Sequence, residues 1–187
     1  MIWLKYRLLF QIIIVFLHRN KLSYSSDMEQ IIGRKTEIRQ LTDAAEKQAV
    51  TRLILEALPE WFGIPQALEE YVSGSADKLF FAAMDGENPV GFLYLKETGR
   101  DTVELYVMGV LKARHRTGAG RALVEAAKQA AREAGYAFMQ VKTVQMGKYA
   151  EYDATNRFYL AMGFREFEVF PHLWDEWNPC QVYVMGL

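Results

Sequence analysis

The spacing of apolar residues changes several times along the chain, and each change predicts a new element. Residues 36–41 alternate in the manner of a strand. Apolar residues then recur at helical intervals, at Val50, Leu53, Ile54, Ala57 and Leu58. Asp43 and Glu46 have the spacing of a capping box at the start of this helix, and Pro59 ends it. The pattern thus predicts a strand followed by an amphipathic helix.

The remaining elements are predicted in the same way. Residues 61–64 form an aromatic loop, and a short helix runs from Pro65 through Tyr71. Further strands are expected at residues 79–84, 90–96, 103–111, 136–144, 164–170 and 181–185, with helices at 118–134 and 152–162. This order predicts an antiparallel meander followed by α/β crossovers, and hence a mixed sheet.

Composition narrows the class of protein. A chain of 187 residues fits one domain, or one domain with an appendage, and its formal net charge of −1 gives no sign of nucleic-acid binding. The single cysteine, Cys180, excludes an internal disulfide and agrees with a reducing, cytoplasmic location. The three histidines lie far apart without metal-ligand spacing, so we expect no metal site.

Residues 1–27 differ in character from the rest. An apolar run at residues 8–17 has basic residues on both sides, yet it is about half of the roughly 20 residues that span a bilayer as a helix. The segment could be a weak membrane anchor, an uncleaved signal, or sequence upstream of the true start. We favour the last interpretation, with Met28 opening a domain of residues 28–187.

A loop with two glycines joins the strand at residues 103–111 to the next helix. Backbone N–H groups at such a helix start have no partner within the helix and can bind phosphate. Basic residues flank this loop, at Lys112, Arg114, Arg116 and Arg121. The loop has neither the Gly-Lys-Ser/Thr of a P-loop nor the third glycine of a dinucleotide fingerprint. It is thus either a pyrophosphate cradle or a simple tight turn.

Two motifs together are more specific. The first runs from His115 to Gly120 and has the form x-x-x-Gly-x-Gly, and the second is Tyr159-x-x-x-Gly-Phe. In these motifs and in element order, residues 36–187 resemble the GNAT family of acyl-CoA-dependent N-acetyltransferases. His115 stands where the family has Gln or Arg, and Asp153 where many members have Asn. The resemblance implies one α/β domain, with a mixed sheet of six to seven strands and about four helices.

The resemblance also implies a site for acetyl-CoA as co-substrate. Backbone N–H groups of the loop would hold the pyrophosphate, and the pantetheine arm would lie along a strand edge that splays from its neighbour. Asn156 would replace the contact expected of Asp153. The residues so implicated are Val110, Leu111, His115, Arg116, Thr117, Gly118, Ala119, Gly120, Arg121 and Asn156.

Two catalytic residues follow from the same resemblance. Tyr159 matches the tyrosine that protonates the leaving thiolate, although a core aromatic beside Phe158 is the alternative. Glu104 matches a glutamate base, or else it is a solvated residue or an anchor for a cationic substrate. Strand alternation predicts that Glu104 shares one face with Tyr106, Met108 and Val110.

The expected activity is N-acetyl transfer to a primary amine of a small molecule or peptide. Aromatic residues interleaved with Asp175 and Glu176 would suit a cationic amine, unless the tryptophans only close the core; they are Trp61, Phe62, Tyr94, Tyr106, Trp174 and Trp177. A non-catalytic acyl-CoA-binding module and a membrane-attached protein are the alternatives. We expect no nucleic-acid or membrane partner, and a homodimer is left open.

Overall fold

The computed structural model describes residues 36–187, so the interpretations of residues 1–27 and of Met28 as the start lie outside the described residues. The strands are β1 (Glu37–Leu41), β2 (Leu79–Asp85), β3 (Asn88–Gly99), β4 (Thr102–Val110), β5 (Phe138–Val144), β6 (Arg165–Phe170) and β7 (Cys180–Gly186). The helices are α1 (Ala44–Glu56), α2 (Pro59–Phe62), α3 (Pro65–Gly74), α4 (Ala119–Glu133) and α5 (Ala150–Ala161). Within this part of the chain no helix is long and apolar enough to cross a bilayer.

The seven strands form one mixed sheet in the order β1-β2-β3-β4-β5-β7-β6. Strands β1 to β4 make an antiparallel meander, and β4 pairs with β5 in parallel across the α4 crossover. Strand β7 then inserts between β5 and β6 with antiparallel pairing. The mixed sheet predicted from element order is confirmed.

Each face of the sheet carries its own apolar core. On one face, Ile54 and Leu55 of α1 pack against Phe80, Phe92 and Tyr94 of the meander. On the other face, α4 and α5 cover β3 to β5 and β7 through a cluster that includes Leu123, Ala127, Met139, Tyr159 and Tyr183. The two cores follow from the helical period of α1 and α4, because each helix presents one apolar stripe.

The local signals explain where α1 begins and where the predictions differ from the structure. The side chain of Asp43 accepts a hydrogen bond of 2.8 Å from the backbone N–H of Glu46, as the capping-box spacing predicts. The aromatic segment after Leu58 was expected to be a loop, but Pro59–Phe62 forms the short helix α2. Proline at the first position favours that turn because its missing N–H would be unpaired there.

Strands β4 and β5 separate partway along their length. Their parallel pairing runs from Thr102 with Phe138 to Leu105 with Val141, and it stops there. The later residues of β4 keep their antiparallel pairing with β3 up to Val110. The two strands therefore diverge toward the end of β4 that leads into the glycine loop, as the family resemblance implied.

Candidate active site

The glycine loop presents a row of unpaired backbone donors. A 3₁₀ turn at Lys112–Arg114 follows β4, and the chain then reaches α4 through two left-handed residues, Arg116 with φ 64° and Gly118 with φ 93°. Among the described groups, none accepts a hydrogen bond from the six backbone N–H groups of residues 116–121. Such a concave run of N–H groups at a helix start suits an anion.

Packing explains the second glycine of the loop. A Cβ atom built on Gly120 would lie 3.3 Å from Met108 Cε and 3.3 Å from Phe158 Cε2. Phe158 of α5 and Met108 of β4 therefore hold the loop closely against the sheet, and a larger residue would push it outward.

The side chain of His115 points back toward the end of β4. Its Nε2 lies 2.8 Å from the carbonyl oxygen of Val110, and its ring packs edge-on against Trp61 with centroids 6.3 Å apart. The side chain thus fixes the end of β4. His115 stands where the family has Gln or Arg, and in this chain that position contacts Val110 and Trp61.

The positive charge of the loop is smaller than the sequence suggests. Lys112 forms an ion pair with Glu60 of α2, and Arg114 forms one with Asp85 at the end of β2. Arg116 and Arg121 make no ion pair within residues 36–187. Of the four cations that flank the loop, two are therefore paired with carboxylates from distant elements, which lowers the net positive charge there.

Strand β4 carries a one-residue bulge that changes which residues share a face. Leu105 pairs with Leu95 and Val107 pairs with Tyr94, so Tyr106 has no partner on β3. Before the bulge Leu105 packs with the α4 core, whereas after it Val107 packs with the α1 core.

The bulge corrects the face predicted from alternation. Glu104 lies on the side opposite Leu105, and the ring of Tyr106 contacts Tyr71 and Tyr94 on that same α1 side. Met108 and Val110 instead pack against the α4 core. The single face expected for all four residues is wrong, since an extra residue shifts the alternation by one.

Glu104 is buried and already paired. It is 4% exposed, and its Oε2 accepts a hydrogen bond of 2.6 Å from Nζ of Lys142. Lys142 directly follows Val141, the last β5 residue that pairs with β4. The ion pair therefore lies where the two strands begin to diverge.

Tyr159 lies in the core between the sheet and helices α4 and α5. Its ring packs against Phe158, Phe164 and Tyr183, with centroids 5.5, 5.8 and 6.4 Å away. Among the described groups none forms a hydrogen bond with its hydroxyl. Burial, with a smaller contribution from Tyr152, raises the pKa of Tyr159. The phenol therefore stays protonated at neutral pH.

Asn156 is a structural residue of the core. Its side chain donates to the carbonyl oxygens of Val144 and Tyr152 at 2.9 and 2.7 Å, and it accepts from the hydroxyl of Tyr183 at 2.7 Å. Asp153, one turn earlier, accepts from the backbone N–H of Gly147 at 2.6 Å. The side chain of Asn156 is thus fully hydrogen-bonded within the core, and its role in cofactor binding stays a prediction.

The structure brings some of the predicted acceptor-side aromatics together. Phe62, Tyr71, Tyr94 and Tyr106 form a chain of ring contacts on the α1 face, with centroids 5.9 to 6.2 Å apart. Tyr106 is 37% exposed, whereas Tyr94 is fully buried and its hydroxyl donates to the carbonyl oxygen of Tyr71. Of these four residues, Tyr106 is the most exposed. Sequence reasoning missed Tyr71, which carried no motif.

The tryptophans predicted for the acceptor side lie in two other regions, the helix α2 and the loop between β6 and β7. Trp61 connects α2 to α5, because its Nε1 donates to Thr155 Oγ1 at 3.2 Å and its carbonyl accepts from Tyr152 at 3.1 Å. Trp174 and Trp177, between β6 and β7, are 47% and 70% exposed. Asp175 in that loop accepts from the backbone N–H groups of Trp177 and Asn178, so it stabilises its own turn.

Metal chemistry has no visible donor set here. Within residues 36–187 no group of three or more His, Cys, Asp or Glu side chains is arranged to hold a metal ion. Cys180 is buried, and burial raises the pKa of its thiol to about 11. The thiol is therefore protonated at neutral pH.

A mixed sheet whose parallel pair diverges beside an open glycine loop defines a recognisable class of α/β domain. Residues 76–166 match the family model for the acetyltransferase (GNAT) domain. The chain belongs to the GNAT acetyltransferase family, and the described part forms a single domain of that fold. No curated protein matches the chain in sequence.

Solved structures agree with this fold. A GNAT-family protein from Desulfovibrio desulfuricans superposes with a TM-score of 0.70 at 20% identity, covering 81% of this chain and 99% of the other. The ribosomal-protein-S18-alanine N-acetyltransferase of Escherichia coli gives 0.63 at 16% identity, covering 81% and 94%. The protein yncA of Salmonella typhimurium, solved with acetyl-CoA, gives 0.60 at 19% identity, covering 81% and 94%.

Proposed function

We propose that this protein is an acetyl-CoA-dependent N-acetyltransferase that acetylates a primary amine of a small molecule or peptide. The observation that carries the proposal is the row of N–H groups at residues 116–121 that have no acceptor within residues 36–187, beside the divergence of β4 and β5. The start of α4 accounts for four of these donors, and the loop adds those of Arg116 and Thr117. We place the transferase domain at residues 28–187, since every group in the proposed site lies within it.

The chain fits acetyl-CoA as co-substrate. The donors of the glycine loop suit a pyrophosphate, and so do the guanidinium groups of Arg116 and Arg121, which form no ion pair within residues 36–187. The strand edge at Val110 and Leu111 would bind the pantetheine arm, as the resemblance to the GNAT family implies. The Salmonella relative contains acetyl-CoA as its cofactor, which supports the same assignment here.

The chemistry assigned to the chain is direct attack in a ternary complex. The free oxygen of the Glu104 carboxylate accepts the amine proton, directly or through water, and the amine nitrogen attacks the thioester carbonyl carbon. When the carbon–sulfur bond breaks, Tyr159 gives its hydroxyl proton to the leaving thiolate. The products are an N-acetylated amine and free CoA.

One observation favours a second candidate, an acyl-CoA-binding module without turnover. The ammonium of Lys142 already occupies Oε2 of Glu104, which is the group that an acceptor amine would approach. If the ion pair with Lys142 prevents Glu104 from accepting the amine proton, the site would bind acetyl-CoA but would not convert it to free CoA.

Two measurements distinguish the candidates. Thermal shift with acetyl-CoA tests coenzyme binding, and both candidates require a rise in melting temperature. CoA release is then followed over polyamines, aminoglycosides, amino acids and peptide N-termini. Turnover that falls in Glu104→Gln by about a hundredfold supports the transferase. Binding without release for any amine would favour the binding module.

A further inference from the structure

The α1 face of strands β3, β4 and β5 holds more positive than negative charge beside the candidate base. Lys96 of β3 lies directly opposite Glu104 of β4, and Lys142 of β5 bonds to that carboxylate. These are the charged side chains that the three strands place on this face. On these strands two ammonium groups therefore accompany one carboxylate, and α3 contributes the carboxylate of Glu70, whose charge acts on Tyr71.

On these strands, the Glu104 carboxylate and the Tyr106 ring are the groups that could attract a cationic acceptor. Each of them already contacts a lysine of this chain. Lys142 Nζ is 2.6 Å from Glu104 Oε2, and its side chain is 26% exposed. Lys96 Nζ lies 4.3 Å from the ring centroid of Tyr106, the most exposed member of the aromatic cluster. The cation–π contact and the ion pair that we expected of a substrate are thus made within the protein.

These occupied contacts select against polycations. A second ammonium on the acceptor would meet Lys96 and Lys142 at close range and would have to displace one of them, which costs free energy. An acceptor with a carboxylate near its amine is favoured instead. Its carboxylate can pair with Lys96, which makes no ion pair within residues 36–187, while its amine faces Glu104.

We propose that the acceptor is an amine of the amino-acid class, whose carboxylate is held by Lys96 and whose nitrogen is presented to Glu104. The proposal rests on the transferase activity proposed above. Tyr106 would then pack against the acceptor side chain with the ring face that Lys96 leaves when it turns to the carboxylate. Lys96 is a specificity residue in this scheme, and it takes no part in proton transfer.

Matched substrates test this directly on the full-length protein. CoA release is measured with free amino acids, with the corresponding amino-acid amides, and with diamines of similar size. We expect kcat/KM for the best amino acid to exceed that of its amide by about tenfold, mainly through KM. Diamines should be the poorest of the three. Faster turnover of amides or diamines overturns the inference and leaves the transferase proposal intact.

A variant pair tests the role of Lys96. Lys96→Met removes the charge and keeps the length of the side chain, so it should bring the acid-to-amide ratio to about one. Lys128→Met removes the same charge from α4, on the other face of the sheet, and should leave the ratio unchanged. An unchanged ratio in Lys96→Met contradicts the inference. CoA release with no amine of any class would instead defeat the transferase proposal and this inference with it.

Discussion

At the scale of single residues, burial fits Tyr159 for the role of an acid. Its ring is enclosed by other aromatics, so the ionised form is disfavoured and its pKa is raised. Loss of activity through ionisation of this phenol should therefore begin above about pH 10, the usual pKa of tyrosine. An alkaline limb of kcat near pH 8 would have to come from another group.

The Tyr159→Phe variant tests the same residue. We expect kcat to fall by about a hundredfold, because a positioned general acid contributes on that order. Stability should change little, since the hydroxyl makes no hydrogen bond within residues 36–187. Tyr149→Phe, at an exposed residue just before α5, is the matched control. CoA-release kinetics and thermal melts give both readouts, and an unchanged kcat would remove Tyr159 from the mechanism.

At the scale of elements, the loop before α4 depends on backbone geometry more than on side chains. Gly118 has φ 93°, and a Cβ atom there would meet nothing within 4 Å. Gly118→Ala therefore introduces backbone strain of about 1–2 kcal/mol without a clash. The donors of residues 116–121 would then be held less well for the pyrophosphate.

Two alanine variants separate this effect from a general one. Gly118→Ala should weaken acetyl-CoA binding by about tenfold in a titration and lower the melting temperature. Gly74→Ala, at the end of α3, also adds a Cβ with nothing within 4 Å but without a left-handed φ, so it should be neutral or slightly stabilising. Equal coenzyme affinities for the two variants would contradict the role given to the loop.

The same scale shows where sequence reasoning succeeded and where it failed. Hydrophobic period and the Asp43 cap predicted the type and order of the main elements, because each element carries its own local signal. The bulge in β4 gave no such signal, since Glu104-Leu105-Tyr106-Val107 alternates like a regular strand. The ion pairs of Lys112, Arg114 and Lys142 were equally hidden, because their partners lie 52, 29 and 38 residues away in the chain.

At the scale of the whole molecule, burial keeps several tyrosine side chains in their neutral form. Burial is the main cause that raises the pKa of five of them: Tyr71, Tyr94, Tyr152, Tyr159 and Tyr183. For Tyr152 the value is about 12. In the unfolded chain the same phenols ionise near pH 10. Deprotonation therefore favours the unfolded state once the pH passes that value.

This predicts a stability profile. The free energy of unfolding should be insensitive to these tyrosines below about pH 9 and should fall steadily from about pH 10 toward pH 12. Urea unfolding at pH 8, 9, 10 and 11 measures the fall, and absorbance near the tyrosinate band shows whether ionisation accompanies unfolding. Ionisation of any of these five phenols in the folded protein below pH 10 would contradict the burial described for their rings.

The unpaired residue in β4 has a consequence for engineering this protein. Because Tyr106 is the extra residue in the ladder, Leu105 and Val107 on either side of it already pair with consecutive residues of β3. Substitutions at Tyr106 can reshape the acceptor side while Met108 and Val110 keep their places. A deletion there would restore a regular ladder and leave Val107, Met108 and Val110 on the faces that they now occupy. Libraries aimed at new acceptors can therefore vary both the identity and the presence of this residue.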